Sequence, residues 1–312
     1  MNIRAFKGTD LSDIIKIWNR TMPYNPVSRM IFLKNLLLDH NFDDEGFLVA
    51  EENGEILGFI YAIVRRFPKD VGAPATDEFG YINAIGLKYE KDILGGLGGA
   101  LIKAAEDYFR SHGKQKVLMS CYTPNYIYQG INTLYPDYLA LFPQEGYEEH
   151  GRNVSISIDL LKYVRPDYID ELKAKREQEG FLFTNLKDEY ILELLKYAAP
   201  GFNHRIRRVI QETMDYERFN IVIYDGKVVG INMFGDPYSC EERFGPFSVS
   251  AEFRGKGLGK VLLHDCLTEM KNRGLQKAWS QSTPLESAAS HIYAQAGFQS
   301  TNEYVKFKKE LQ

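Results

Sequence analysis

The run Phe247-Ser248-Val249-Ser250-Ala251-Glu252-Phe253-Arg254-Gly255-Lys256-Gly257-Leu258-Gly259-Lys260 decides how this chain is read. β-prone residues open it and a bend follows. A helix then begins within the glycines, carried on by Leu262, Cys266 and Met270 at helical spacing. The first N–H groups of a helix have no partner inside it, and the helix dipole favours an anion beyond that end. Glycines lack a Cβ and let the backbone approach a bulky phosphate. Arg254 and Lys256 add positive charge for a polyanion. The spacing is not that of a P-loop, G-x-x-x-x-G-K-[ST]. A dinucleotide site would place its glycines after the first strand of a βαβ unit, whereas this loop comes late in its half, after a hairpin.

Outward from this loop the chain repeats itself. Upstream of it, Ile191, Leu194, Leu195 and Ala198 mark a helix, and Asn220–Tyr224, Asp225-Gly226-Lys227 and Val228–Phe234 mark a hairpin. The first half carries the same order. Thr9 and Asp10 precede Leu11, Ile14, Ile15 and Trp18, and Phe47–Ala50 turns through Glu51–Glu55 into Ile56–Val64. Its own glycine loop, Gly95-Gly96-Leu97-Gly98-Gly99, runs into Leu101, Ala104, Ala105 and Tyr108. Each half closes on a glycine–aromatic pair before a strand: Gly146-Tyr147 before Val154–Ile158, and Gly297-Phe298 before Tyr304–Phe307. The glycine loops lie 161 residues apart (Gly96 to Gly257) and the closing glycines 151 apart (Gly146 to Gly297). Unequal distances indicate duplicated domains with different loops, not a solenoid. The charged segment Arg165–Gly180 reads as a bridging helix. The expected division is residues 1–162 and 163–312, with 163–180 as the bridge.

Bulk properties agree with two globular domains. The chain has 312 residues, 44% hydrophobic and 26% charged, with net charge −4. That balance argues against broad nucleic-acid or membrane-surface binding. Cys121, Cys240 and Cys266 are scattered, so neither a disulfide framework nor a zinc site is expected. The six histidines show no metal-ligand spacing, and no metal is expected. Residues Met1–Lys7 lack the apolar run of a signal peptide, and no segment approaches the ~20 apolar residues that span a bilayer. These features point to a reduced, soluble, cytoplasmic protein.

Arg254-Gly255-Lys256-Gly257-Leu258-Gly259 resembles the R/Q-x-x-G-x-G/A coenzyme A motif of the GCN5-related N-acetyltransferase (GNAT) superfamily. Ala289-Ser290-His291-Ile292-Tyr293-Ala294-Gln295-Ala296-Gly297-Phe298 resembles the closing A-x-x-x-Y-x-x-x-G-F signature of the same family, in the family's order and separation. The resemblance covers residues 180–310 best, and the whole chain looks like a tandem member. It implies a mixed α/β (α+β) fold of two GNAT-like domains, each a mostly antiparallel sheet flanked by helices. It further implies direct transfer from acetyl-coenzyme A to a primary amine, with no acyl-enzyme. The implied cofactor-binding residues are Phe247, Ser248, Val249, Arg254, Gly255, Lys256, Gly257, Leu258, Gly259 and Lys260, and the implied general acid is Tyr293. A phenol is protonated at neutral pH and can donate to a departing thiolate. Glu286 departs from the family, which often has asparagine there.

The general base is not identified by sequence; Glu252, Glu286, His291 and Asp236 are the candidates. Gln281, Ser282 and Thr283 fall on a strand facing the cleft. Cys266, spaced with Leu262 and Met270, reads as core rather than nucleophile. His204-Arg205-Ile206-Arg207-Arg208 reads as a solvated helix face. In the first half, Ile93 stands at the motif's arginine position and Phe142 at the tyrosine position, so that half is expected to be degenerate. Tyr122–Asn132 reads as a tyrosine-rich loop over its cleft, with Tyr126 and Tyr128 either shaping a pocket or covering the core. The expected partner is a small-molecule amine; a protein or peptide acceptor, a non-catalytic coenzyme A scaffold and an unrelated phosphate-binding enzyme are the alternatives.

Overall fold

A computed structural model describes residues 1–120, 122–123, 125–127, 129–236 and 240–311, with the side chains of Glu90, Asp236, Cys240 and Ser282 left aside. Tyr128 and the side chains of Asp236 and Ser282, all candidates above, lie outside the described residues. In chain order the elements are β1 (Asn2–Ala5), α1 (Leu11–Thr21), α2 (Arg29–Phe32), β2 (Phe47–Glu52), β3 (Glu55–Val64), β4 (Phe79–Leu87), α3 (Leu97–Ser111), β5 (Lys116–Met119), β6 (Ile131–Asn132), α4 (Pro136–Gln144) and β7 (Glu148–Asp159). There follow α5 (Tyr168–Gln178), β8 (Leu182–Asn185), α6 (Ile191–Ala198), α7 (Asn203–Thr213), β9 (Phe219–Tyr224), β10 (Lys227–Asp236), β11 (Cys240–Val249), α8 (Leu258–Asn272), β12 (Lys277–Pro284), α9 (Ala288–Gln295) and β13 (Gln299–Glu310).

Packing divides the chain into two units. One comprises Met1–Lys69, Pro74–Val154 and Asn302–Gln312, and the other Asp70–Ala73 and Ser155–Thr301. These units depart from a single cut at 162/163 in the short segment Asp70–Ala73 and in two strands. The end of β7 belongs with the second unit and most of β13 with the first, because each is hydrogen-bonded into that unit's sheet.

The sheet of the first unit runs β1-β2-β3-β4-β5-β13, with β6 also on β13. β4 and β5 are parallel and its other pairs antiparallel. The β2–β3 turn carries Asn53 at φ 51° and Gly54 at φ 80°, the two positive φ angles that a twisted two-residue hairpin requires. The second unit repeats the design as β8-β9-β10-β11-β12-β7, with β11 and β12 parallel. Its β9–β10 turn repeats the geometry at Asp225 (φ 49°) and Gly226 (φ 70°). The sequence-derived order of helix, hairpin, strand, glycine loop and helix is therefore present in both halves.

Alternation along the strands gives each sheet two apolar faces. In the second unit, Phe219, Ile221, Ile231 and Met233 pack with Leu194, Ile206 and Val209 of α6 and α7. Val222, Val229 and Phe247 pack with Leu258, Val261 and Leu262 of α8. In the first unit one large cluster takes in Trp18, Phe32, Phe59, Leu101 and Phe109, together with Phe307 of β13.

Candidate active site

The second glycine loop has the backbone its sequence implies. Gly255 (φ 81°) and Gly257 (φ 82°) both occupy the left-handed region that disfavours a side chain, and Gly257 is the N-cap of α8. The internal bonds of this segment are Phe253 N–H to Ser250 O (3.0 Å), Arg254 N–H to Ala251 O (3.3 Å), and Lys260 and Val261 N–H to Gly257 O (3.0 and 3.3 Å). Among the described residues no backbone carbonyl accepts from the N–H groups of Gly255, Lys256, Gly257, Leu258 or Gly259. Five successive donors therefore lie unused at the positive end of a 15-residue helix. Arg254 and Lys256 are exposed beside them and Lys260 is half-buried.

The strand leading into this loop opens away from its parallel neighbour. β11 pairs with β12 at Arg243↔Trp279. Among the described residues Phe247, Ser248 and Val249 pair only with β10, opposite Asn232, Ile231 and Gly230. One edge of that segment is thus free to bond an extended ligand. Alternation sends Ser248 to the α6 side, where the Tyr197 hydroxyl donates to its Oγ at 3.0 Å. Phe247 points the other way. A Cβ on Gly259 would come 3.1 Å from its Cζ, so the glycine permits close packing of helix on strand.

Tyr293 of α9 meets this segment. Its ring lies 5.6 Å from Phe247, 5.4 Å from Phe244 and 5.5 Å from Phe298. The ring is buried, and among the described residues no hydrogen bond acts on its hydroxyl. Burial, with Cys266 nearby, pushes the phenol well above its ordinary ionisation near 10. Loop, strand edge and tyrosine are therefore brought together through Phe247 and Gly259.

The other candidates are placed less tightly. Glu252, Glu286 and His291 are exposed, Gln281 is half-buried, and Thr283 is buried. Cys266 is fully buried and its thiol is pushed up by desolvation, so it is a core residue. The basic cluster of α7 is not a simple solvated face. Arg207 is exposed, but His204, Arg205 and Arg208 are half-buried, and Asp70 accepts from the N–H groups of Asn203 (2.7 Å) and His204 (3.1 Å). A remote carboxylate capping the helix draws its first turn inward, which helical periodicity alone does not reveal. Sequence reasoning also missed Tyr197 and the fully buried Asn232, whose amide is unpaired. Asn232 interrupts an apolar strand, and that polar break was the available signal.

The matching site of the first unit differs in its side chains. Gly96 (φ 98°) caps α3 as Gly257 caps α8. Ile93 is buried, and Phe142 stacks on Phe307 at 5.2 Å. Where the second loop has Arg254, Lys256 and Lys260, the first has Ile93, Gly95 and Gly99, and the Glu145 carboxylate lies against Gly99. Tyr126 packs half-buried on the core.

The acetyltransferase (GNAT) family model matches residues 11–128 and again 180–298. A mycothiol acetyltransferase of Amycolatopsis mediterranei (strain U-32) is 25% identical over 158 residues, which is 49% of this chain and 48% of that protein. The aligned stretch thus spans about half the length of this curated relative. A GCN5-related N-acetyltransferase from Sphaerobacter thermophilus superposes with TM-score 0.72 at 17% identity, covering 99% of this chain and 95% of that one. A tandem GNAT protein from the clavulanic acid biosynthesis pathway superposes with TM-score 0.61 at 13% identity, covering 99% and 98%. At such identity these two likenesses speak for the fold. With each half matched separately by one family model, the chain belongs to the acetyltransferase (GNAT) family as a tandem member.

Proposed function

We propose that this protein is an acetyl-coenzyme A-dependent N-acetyltransferase acting on a small-molecule primary amine, with its working site in the C-terminal half. The observation that carries the reading is the row of N–H groups from Gly255 to Gly259 at the start of α8, which no backbone carbonyl among the described residues accepts from, beside a strand edge and the Tyr293 ring. Bound acetyl-coenzyme A supplies an acetyl group on an activated thioester. The five N–H groups hold the pyrophosphate, and Arg254, Lys256 and Lys260 balance its charge. The free edge of Phe247–Val249 orients the extended arm, and such positioning is a large share of the rate in direct transfer. Tyr293 Oη donates its proton to the departing sulfur while the amine nitrogen bonds the acetyl carbon, and the proton the amine loses balances that donation.

The first half is assigned a non-catalytic role. Its loop carries no cation at the three positions where the second loop has them, and a carboxylate faces it instead. A polyanion is repelled there. A small acceptor agrees with the partial likeness to an enzyme named for mycothiol, a small molecule. The test is calorimetric titration of acetyl-coenzyme A, repeated with Gly257→Trp, followed by an amine screen. One site per chain, lost in the variant, is expected. Two sites would sink the assignment of the first half, and no binding would sink the transferase reading.

A further inference from the structure

The bridging helix α5 runs antiparallel along α8 toward the glycine loop. Arg165, just ahead of α5, bonds Asp265 at 2.8 Å, and Lys173 bonds the same carboxylate at 3.0 Å. Leu172 has reached the helix start, where a Cβ on Gly257 would come 2.8 Å from its Cδ2. Arg176 stands one helical turn beyond Leu172 on the same face of α5. The Arg176 carbonyl accepts from Phe181 N–H at 3.1 Å, and the Phe181 ring meets Phe253, the residue before Arg254, edge-on at 5.6 Å. Arg176 thus follows by one turn the residue that meets Gly257, and its carbonyl holds the residue that meets Phe253.

Its side chain is only 13% exposed. Nη1 is paired with Glu179 Oε2 at 2.6 Å, while Nε is buried with no hydrogen-bond partner. A buried guanidinium donor without an acceptor is costly, and the planar fork suits a phosphate. We infer that Arg176 is a phosphate-binding residue of the cofactor site, supplied by the bridging helix and not by the glycine motif. This rests on the coenzyme A reading above. Glu179 is its competitor: it holds one nitrogen of the fork and sets a negative charge beside the incoming anion.

The experiment is calorimetry on the full chain with acetyl-coenzyme A and with its analogue lacking the 3′-phosphate, for the wild type, Arg176→Gln and Glu179→Gln. Arg176→Gln is expected to weaken acetyl-coenzyme A binding about tenfold, the order of one charge-assisted hydrogen bond to phosphate, at unchanged Tm. Glu179→Gln is expected to tighten it, which mere loss of a helix-end ion pair would not do. If the Arg176→Gln effect disappears with the analogue, the contact is to the 3′-phosphate; if it persists, the contact is to the diphosphate. Either supports the assignment. Binding by Arg176→Gln within twofold of wild type overturns it. Should Arg176→Gln fold poorly, Glu179→Gln decides alone, and an unchanged Kd there also overturns it. A wild type that binds neither ligand removes the coenzyme A reading itself, and the Arg176 assignment with it.

Discussion

Tyr293 and Phe142 occupy corresponding places in the two halves, and a single oxygen separates their chemistry. Phe142 is sealed in its core by Phe307 and Tyr147, whereas Tyr293 carries a hydroxyl on which no hydrogen bond acts among the described residues, its ring beside Phe247. Tyr293→Phe should lower kcat by about 10²- to 10⁴-fold, the range of general acid catalysis, with little change in acetyl-coenzyme A affinity. Phe142→Tyr should leave turnover unchanged, and steady-state kinetics on both variants checks the pair. Because burial raises the Tyr293 phenol, its proton stays on through mildly alkaline pH, so kcat should show no tyrosine-linked fall below pH 10. His264 reports on stability instead. It is buried, its Nδ1 lies 2.8 Å from the Tyr163 hydroxyl, and desolvation lowers its pKa from 6.5 to about 4. A neutral imidazole is therefore favoured in the fold. Its contribution is complete above pH 6.5 and is lost as pH falls toward 4, by about 3 kcal/mol at most. His264→Phe should flatten the fall of Tm across that window relative to wild type.

At the scale of elements, the glycine loop separates two kinds of constraint. Gly255 and Gly257 share a positive φ, but a Cβ at Gly255 meets nothing within 4 Å, whereas one at Gly257 strikes Leu172. Gly255→Ala should cost about 1–2 kcal/mol from backbone strain alone. Gly257→Ala should cost a further ~0.5–1.5 kcal/mol for turning the Leu172 side chain aside. Urea unfolding of the two variants would show the difference, and equal losses would mean that α5 does not press on the loop. The repeated motif, strand into glycines into helix, was legible because it is written in adjacent residues. That α5 lies along that helix was not, since its apolar contacts come down to single residues such as Ile169 and Leu172 within a charged stretch.

For the whole molecule, the units are built from non-contiguous chain. Phe307, five residues from the last residue of the sequence, lies in the core of the first unit and pairs with Met119 of β5. Phe307→Ala should destabilise by about 3–5 kcal/mol, as expected for deleting a buried aromatic ring. The loss should appear as faster hydrogen exchange in β4, β5 and α4 while α8 stays protected. Faster exchange confined to α8 and β10 would contradict this division of the fold.

The sequence by itself determined the family, the duplication, both hairpin turns and the placement of the glycine loops, because each depends on local chemistry. Positive φ selects glycine, period selects helix or strand, and a helix start selects its anion. It also pointed to Phe247, Gly259 and Tyr293 by resemblance, without showing that they touch. Only the tertiary structure decided that contact, the end of β7 and most of β13 joining different units, Asp70 capping α7, and Leu172 of α5 against Gly257. Each of these joins residues far apart in the chain, where hydrogen-bond register and side-chain packing, not local propensity, make the choice.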